Sequence, residues 1–503
     1  MAWTSSPRAR LWLFVALATL VRVLAARWTH LTEDEAYYRL WAQHLAFGYY
    51  DHPPMIAWWI RAGIGLAGDN PLGVRLAPIL ATALEGLLIA DIVKAFGGSD
   101  QAGLRAAVWL NATITVGVGG MLAVPDAPGV LFWLVTLWAL RRAQLGAPAW
   151  WLAAGAAAGL AVLSKYSGLF LGAGVFLWLV ADAERRALLK TRWPWLALAA
   201  AAAVVAPNVI WNAGHHWVTL AKQFGRVTSG HFSPGHVAEL LVAQTFLLNP
   251  MVASYAARGL AMPWRASTAA RRADLALPVL MIAPFAGYLL LHGLHASVQG
   301  HWPAPMFGPL VVCAAFAAEE WPGGAGARLW RLAGAWLGLL LSVAVLWYMT
   351  QMHSPAFGAF DPILALRGWR EFSLQVEAER RKTGAEWVGT VSYGTLAELQ
   401  SERLIDAPVA QIFERERYAF EPKPPAGLDR PGLVVDLARR LKPDRLESCF
   451  ASVTYVAAFD RGLPSGPAAR YAAYLVSGPK VDVARQGCPE SRERLHRRFQ
   501  SGG

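Results

Sequence analysis

From Leu11 to Met349 the chain is a series of long apolar runs separated by short polar breaks, and from about Gln351 to Gly503 it has the mixed pattern of ordinary globular protein. A mostly apolar run of roughly 20 residues is long enough to cross the hydrocarbon of a bilayer as a helix. That rule predicts helices near 11–28, 72–95, 102–120, 128–141, 150–164, 166–181, 194–212, 237–257, 275–292, 303–318 and 329–350. Lys165 interrupts the 150–181 stretch, which therefore reads as two short helices meeting at that residue. The stretch Leu11 to Ala26 is followed by acidic and aromatic sequence, with no processing site, so it reads as a first membrane helix and not as a cleaved signal. In the tail, strand-like runs at Trp387–Val391, Leu433–Leu437 and Ala472–Val476 alternate with a helical pattern over 371–383, as in a small α/β domain. The expected architecture is a polytopic α-helical membrane protein with about 11 transmembrane helices. Residues 1–350 form its membrane domain, with a first outer loop at 29–71, and residues 351–503 form a soluble C-terminal domain.

Composition sharpens this division. Of 503 residues, 55% are hydrophobic and 16% charged, where a soluble domain carries about 25% charged. The deficit falls on the first region, so the two regions face different solvents. A net charge of +12 would suit nucleic acid if it formed one basic face. Here the basic residues lie in clusters between apolar runs: Arg8 and Arg10, Arg141 and Arg142, Arg185 to Arg192, Arg258 to Arg272, Arg328 and Arg331. Loops retained in the cytoplasm look like this, so no nucleic-acid partner is expected. With the N-terminus in the cytoplasm, the opposite loops are 29–71, 121–127, the turn around 165, 213–236 and 293–302, and an odd number of spans puts the tail outside. The histidines from His30 to His353 all map to that outer side, either as interfacial anchors beside the Trp and Tyr residues or as the lining of a titratable chamber. Cys313 falls within a span as a packing residue, while Cys449 and Cys488 share the tail and can pair in an oxidising compartment.

The outer loops hold the candidate chemistry. The first runs Thr32-Glu33-Asp34-Glu35-Ala36-Tyr37-Tyr38 and then Gly48-Tyr49-Tyr50-Asp51-His52-Pro53-Pro54. Three adjacent carboxylates after a membrane helix are either a solvated loop start or partly desolvated acids, one of which can serve as a general base. Asp126, between Pro125 and Ala127-Pro128, is a helix cap, a site acid or both. Lys165 in Leu163-Ser164-Lys165-Tyr166-Ser167-Gly168 either snorkels to the interface or holds a phosphate. Gln299-Gly300-His301-Trp302-Pro303 completes the rim, with aromatics suited to a sugar ring or to lipid.

The segment from Asp34 to Trp59, DEAYYRLWAQHLAFGYYDHPPMIAWW, resembles the first-loop signature of polyprenyl-phosphate-dependent membrane glycosyltransferases of the GT-C fold. These are related to protein O-mannosyltransferases and to the aminoarabinose and galacturonic acid transferases of lipid A. The VPDAP, LSKYSG and QGHWPAP segments follow in the order of that family, so the resemblance covers about residues 10–350. Parts of the tail, Val391-Ser392-Tyr393-Gly394 and Arg415-Glu416-Arg417-Tyr418, resemble the outer domain of bacterial members. The resemblance implies that Asp34 is the catalytic base with Glu35 beside it, and that Asp126 is the second acid, contacting acceptor or cation. It places Lys165 near the donor phosphate. Asp51 and His52 stand where the aminoarabinose transferases carry Glu-Lys before Pro-Pro, so His52 takes the place of a phosphate-binding cation. Tyr50, Asp51, His301 and Trp302 would then line the donor or acceptor pocket.

The implied chemistry is one displacement at the anomeric carbon, with a polyprenyl phosphate leaving. Such a leaving group needs no strong acid; Lys165 and His52 would stabilise its growing charge, and Asp34 would take the acceptor's proton. A divalent cation bridging carboxylate and phosphate is compatible, but no dedicated metal spacing is present and no cofactor is required. The resemblance implies a bacterial inner-membrane enzyme with its active site facing the periplasm. Its partners would be a polyprenyl-phosphate sugar donor, membrane lipids and an envelope acceptor such as lipid A, lipopolysaccharide or another glycan. A protein O-glycosyltransferase shares this chemistry. A transporter or flippase of lipid-linked sugars predicts charges deep within the spans, and a structural membrane protein leaves the acidic loop incidental.

Overall fold

The structure, a computed structural model, describes residues 6–224, 232–265, 269–351, 361, 363–421, 426–463 and 466–489. His231, His353 and the basic Arg492–Arg498 stretch lie outside the described residues. The chain divides into two compact units, Met1–Arg27 with His52–Tyr348, and Trp28–Asp51 with Met349–Gly503. The segment Trp28–Asp51, expected to belong with the membrane helices, is thus part of the same unit as the tail.

The first unit is helical. Among the described residues, five helices are long and apolar enough to span a membrane: Pro7–Trp28, Pro71–Ala95, Trp193–Gly214, Asp274–Gly293 and Ala325–Met349. Two bent pairs raise the number to seven if each is one span: Ile114–Met121 with Asp126–Gln144, turned by 119°, and Gly235–Leu247 with Pro250–Trp264, turned by 110°. Met55–Ala67, Trp150–Ser164 and Gly168–Val180 are shorter apolar helices. Large apolar side chains point outward along several of these helices; Ile210 is 71% and Leu337 66% exposed. Water would not tolerate such continuous apolar faces, and lipid does. The protein is a multi-pass membrane protein.

Local sequence explains where the helices start, stop and touch. The predicted 102–120 helix ends at Asn111, and Thr113 opens a new turn with its hydroxyl accepting from the Val116 amide at 3.2 Å. The predicted 237–257 helix breaks at Asn249, which takes a positive φ of 73° and caps Pro250–Leu260 by accepting from Met251 N at 3.0 Å. The expected break at Lys165 is present: its backbone is extended, with φ −158° and ψ 141°, between Trp150–Ser164 and Gly168–Val180. The stretch 29–71 is not an irregular loop, because Met55–Ala67 and Glu33–Gln43 are helices. Its apolar run was too short to count as a span, which is why the first of these was not anticipated. Gly155 and Gly159, four apart, let Trp150–Ser164 lie directly on Trp193–Gly214; a Cβ at Gly155 would sit 2.0 Å from the Ala197 carbonyl oxygen.

The second unit contains a five-stranded sheet of β1 (Trp387–Thr390), β2 (Val409–Gln411), β3 (Gly432–Leu437), β4 (Phe450–Leu463) and β5 (Gly466–Pro479), in the order β2-β1-β3-β5-β4. β1 is parallel to β2 and β3, whereas β5 is antiparallel to β3 and β4. The expected strands became β1, β3 and the middle of β5. β2 and β4 were not among the expected strands, and β4 pairs along β5 as an antiparallel hairpin. Trp369–Thr383 packs Trp369, Phe372 and Val376 against Val388, Leu433 and Tyr471 of the sheet. On the other face lie Phe413, Leu446 and the Cys449–Cys488 disulfide, whose Cα atoms are 5.4 Å apart.

Candidate active site

In the first unit three separate polar breaks converge. Asp126 is the first residue of Asp126–Gln144, and the cap position belongs to Pro125, so the Asp126 carboxylate does not serve as the side-chain cap. It accepts instead from Lys165 Nζ, at 2.8 Å to Oδ1 and 3.1 Å to Oδ2. Lys165 owes its place to the end of the preceding helix, where its amide still bonds Ala161 O at 3.1 Å while its backbone turns extended. Both partners are largely buried, with side-chain exposures of 16% and 7%. An ammonium that merely snorkelled would be more exposed. His301 Nε2 lies 3.7 Å from Asp126 Oδ2, and Lys165 Nζ lies 5.9 Å from the Trp302 ring centroid. Trp302 is steadied by its indole N–H donating to Gln299 Oε1 at 3.0 Å. Asp126, Lys165, His301 and Trp302 are thus brought together from three breaks in the chain. His52 is half-buried and precedes Pro53-Pro54 and Met55–Ala67.

In the second unit the acidic triplet forms the first turn of Glu33–Gln43. Thr32 Oγ1 accepts from Glu35 N at 3.2 Å, and Glu35 Oε2 accepts from Thr32 N at 3.0 Å. This is a capping box, and acids in a first turn are also favoured by the helix dipole. Glu35 is fully buried and fixes the turn. Asp34 Oδ1 accepts from Tyr393 Oη at 2.9 Å. Burial, and then Asp34 itself, push the Tyr393 hydroxyl well above the ordinary phenol range, so Tyr393 stays a donor.

Asp51 is buried and accepts from Tyr37 Oη at 3.1 Å and from Arg417 Nη1. Arg417 Nε also donates to Glu414 at 2.9 Å. Burial alone would lower the Arg417 guanidinium, but Asp51, Tyr37 and Glu414 hold it well above its ordinary value. Its Cζ lies 4.6 Å from the Tyr393 ring centroid and 5.2 Å from that of Tyr50. Asp34 and Asp51 therefore meet through Tyr393, Arg417 and Tyr37. Of these three, sequence reasoning singled out none as a site residue. The RERY segment resembling bacterial outer domains was the available signal for Arg417, and Tyr37 follows Asp34 by three residues on one helix face.

Residues 51–211 match the family described as Dolichyl-phosphate-mannose-protein mannosyltransferase. The lipid A galacturonosyltransferase RgtD of Rhizobium johnstonii is 34% identical over 224 residues, which are 43% of this chain and 46% of that protein. The alignment thus spans about half the length of the curated relative. The crystal structure of ArnT from Cupriavidus metallidurans bound to undecaprenyl phosphate superposes with a TM-score of 0.62 at 16% identity, covering 93% of this chain and 99% of that one. The chain has the GT-C fold. The arabinofuranosyltransferase AftD from Mycobacteria also matches, with a TM-score of 0.51 at 15% identity over 93% of this chain and 40% of that one. The GT-C fold accounts for the helical first unit, and the match to ArnT extends over the α/β tail as well.

Proposed function

We propose that this chain is an inverting glycosyltransferase of the bacterial inner membrane. It moves a sugar from a polyprenyl-phosphate donor to lipid A or another envelope lipid or glycan at the periplasmic face. The likeness to RgtD supports the class of reaction. The observation that carries it at the level of residues is the Lys165 ammonium, mostly buried, held by Asp126 and close to Trp302. A cation in that setting meets a phosphate with little competing water, so its attraction is strong where charge grows on the leaving oxygen.

In this reading Asp34 removes the proton of the acceptor hydroxyl as its oxygen bonds to the anomeric carbon. The bond from that carbon to the phosphate oxygen breaks, and its electron pair stays on phosphate. Tyr393 orients Asp34 through Oδ1, and Glu35 keeps the turn in register. Lys165 stabilises the departing phosphate, with His52 as a second candidate. Asp126 sets the position of Lys165 before the donor arrives, and Tyr50, Asp51, His301 and Trp302 serve substrate placement. Protein O-glycosylation is a second reading, favoured by the family matched over 51–211.

The test is transfer in detergent or nanodiscs from defined undecaprenyl-phosphate sugars to lipid A or to acceptor peptides. Asp34→Asn is expected to lower turnover by about 10³-fold, within the range of general-base removal. Lys165→Ala is expected to lower it by about 10²-fold. Full turnover in a folded Asp34→Asn protein removes the base assignment. Movement of lipid-linked sugar across vesicles without transfer replaces the enzyme reading by a flippase.

A further inference from the structure

The second unit holds a group of metal-ligating side chains that the proposed reaction does not use. His30 lies just before Glu33–Gln43, and Glu398 and Glu402 lie one helical turn apart on Tyr393–Glu402. One ligand atom from each can be chosen so that all lie within 4.8 Å of one another. His30 Nε2 is 2.7 Å from Glu398 Oε2, and His30 Nδ1 is 3.7 Å from Glu402 Oε1.

An imidazolium bridging two carboxylates would explain these distances in part. It leaves one observation unexplained. Glu398 is fully buried, and the second oxygen of the carboxylate that faces His30, Oε1, has no hydrogen-bond partner among the described residues. A buried carboxylate oxygen without a partner is costly, and a cation is a common remedy.

We propose that His30, Glu398 and Glu402 form a binding site for a borderline divalent cation of the Zn²⁺ class, tying the first loop to helix Tyr393–Glu402. One imidazole and two carboxylates form the mixed nitrogen–oxygen set that Zn²⁺ accepts, with water in a fourth position. Mg²⁺ and Ca²⁺ favour all-oxygen sets. Carboxylates spaced i, i+4 present both oxygens on one face, and His30 approaches from a separate segment. The ion would fix the segment three residues ahead of Glu33 and so act on the structure around Asp34, without contact to substrate.

The test uses the full-length protein in detergent, stripped with chelator and titrated with Zn²⁺ or Mg²⁺. One Zn²⁺ per chain by elemental analysis, with a rise in melting temperature and no such response to Mg²⁺, is expected. Zinc X-ray absorption of the wild type should show one imidazole with oxygen ligands at about 2.0 Å. Glu402→Gln and His30→Gln should each weaken binding by on the order of 100-fold, since losing a ligand costs at least as much as losing a partner behind it. His215→Gln, in the other unit, should leave binding unchanged. No bound Zn²⁺ at micromolar concentration, sulfur or several imidazoles in the absorption spectrum, or undiminished binding in both variants overturns the site. Stabilisation that follows only the protonation of His30 in metal-free protein assigns the cluster to an imidazolium bridge and overturns it equally.

Discussion

The two units bury their polar candidates in different ways. In the first, Asp126, Lys165, His301 and Trp302 lie at breaks between apolar helices, and the main ion pair is one-to-one. In the second, Asp51, Arg417, Glu414 and Tyr37 form a network between segments more than 360 residues apart, 366 for Asp51 and Arg417. A membrane helix satisfies its own backbone, so its polar side chains collect where the helix stops. A small α/β domain satisfies its backbone through a sheet and can bring distant loops together around buried charge. The first arrangement is read from chain pattern; the second is read only from the fold.

The largest test of this difference is covalent. The Cys449–Cys488 disulfide closes a separation of 39 residues, which in the chain-entropy account is worth about 4 kcal/mol. Replacing both cysteines by serine should therefore speed global-type amide exchange in β4 and β5 by up to about 10³-fold. Amides of Trp150–Ser164 should not change. Equal acceleration in both units would mean that the effect of the disulfide is not confined to the second unit.

Arg417→Met gives the next largest effect. It leaves Asp51 buried without its cation and is expected to destabilise the second unit by about 3 kcal/mol, read by denaturant unfolding. Adding Asp51→Asn should recover part of that loss, because the uncompensated charge is gone. Lys165→Met in the first unit should cost less, about 2 kcal/mol, since His301 remains within 3.7 Å of Asp126. If the Asp51→Asn, Arg417→Met double variant is as unstable as the two single losses added, the network is not coupled and the contrast between the units weakens.

These results bear on what the sequence made legible. Apolar runs found the helices because lipid demands length and hydrophobicity together, and Lys165 marked a break because a lone cation ends a span. Met55–Ala67 was missed because its short run, next to Gly68, looked like loop. Asp126, His301 and Trp302 were each visible beside Pro or Gly, and Lys165 as a lone cation between two apolar runs. Tyr393 and Arg417 stood in tail segments with a resemblance, but their pairing with Asp34 and Asp51 was not legible, since nothing local reveals that Trp28–Asp51 folds with the tail. The same holds for His30, whose ligating partners lie 368 residues away at Glu398 and beyond. The resemblance set Glu35 beside Asp34 as the second member of an acidic pair. The T-x-x-E spacing, Thr32 to Glu35, already carried its capping role.

The smallest test separates the units by pH. Glu377, in Trp369–Thr383, accepts from Arg380 Nε at 2.7 Å and Nη2 at 2.8 Å, and from Arg381 as well. Chiefly through Arg380, its carboxyl is lowered from about 4.5 to about 2. A lowered carboxyl contributes stability that is fully present above its unfolded value and is lost as pH falls through the folded one. The window is therefore about pH 4.5 down to about pH 2. Arg381 is 63% exposed and solvent screens much of the interaction, so the contribution is about 1 kcal/mol. Unfolding of the second unit should be easier at pH 3 than at pH 6 by part of that amount, and Glu377→Gln should remove that part while leaving the acid response of the other carboxyls. An identical acid profile in wild type and Glu377→Gln would show that Trp369–Thr383 gains nothing from the pair.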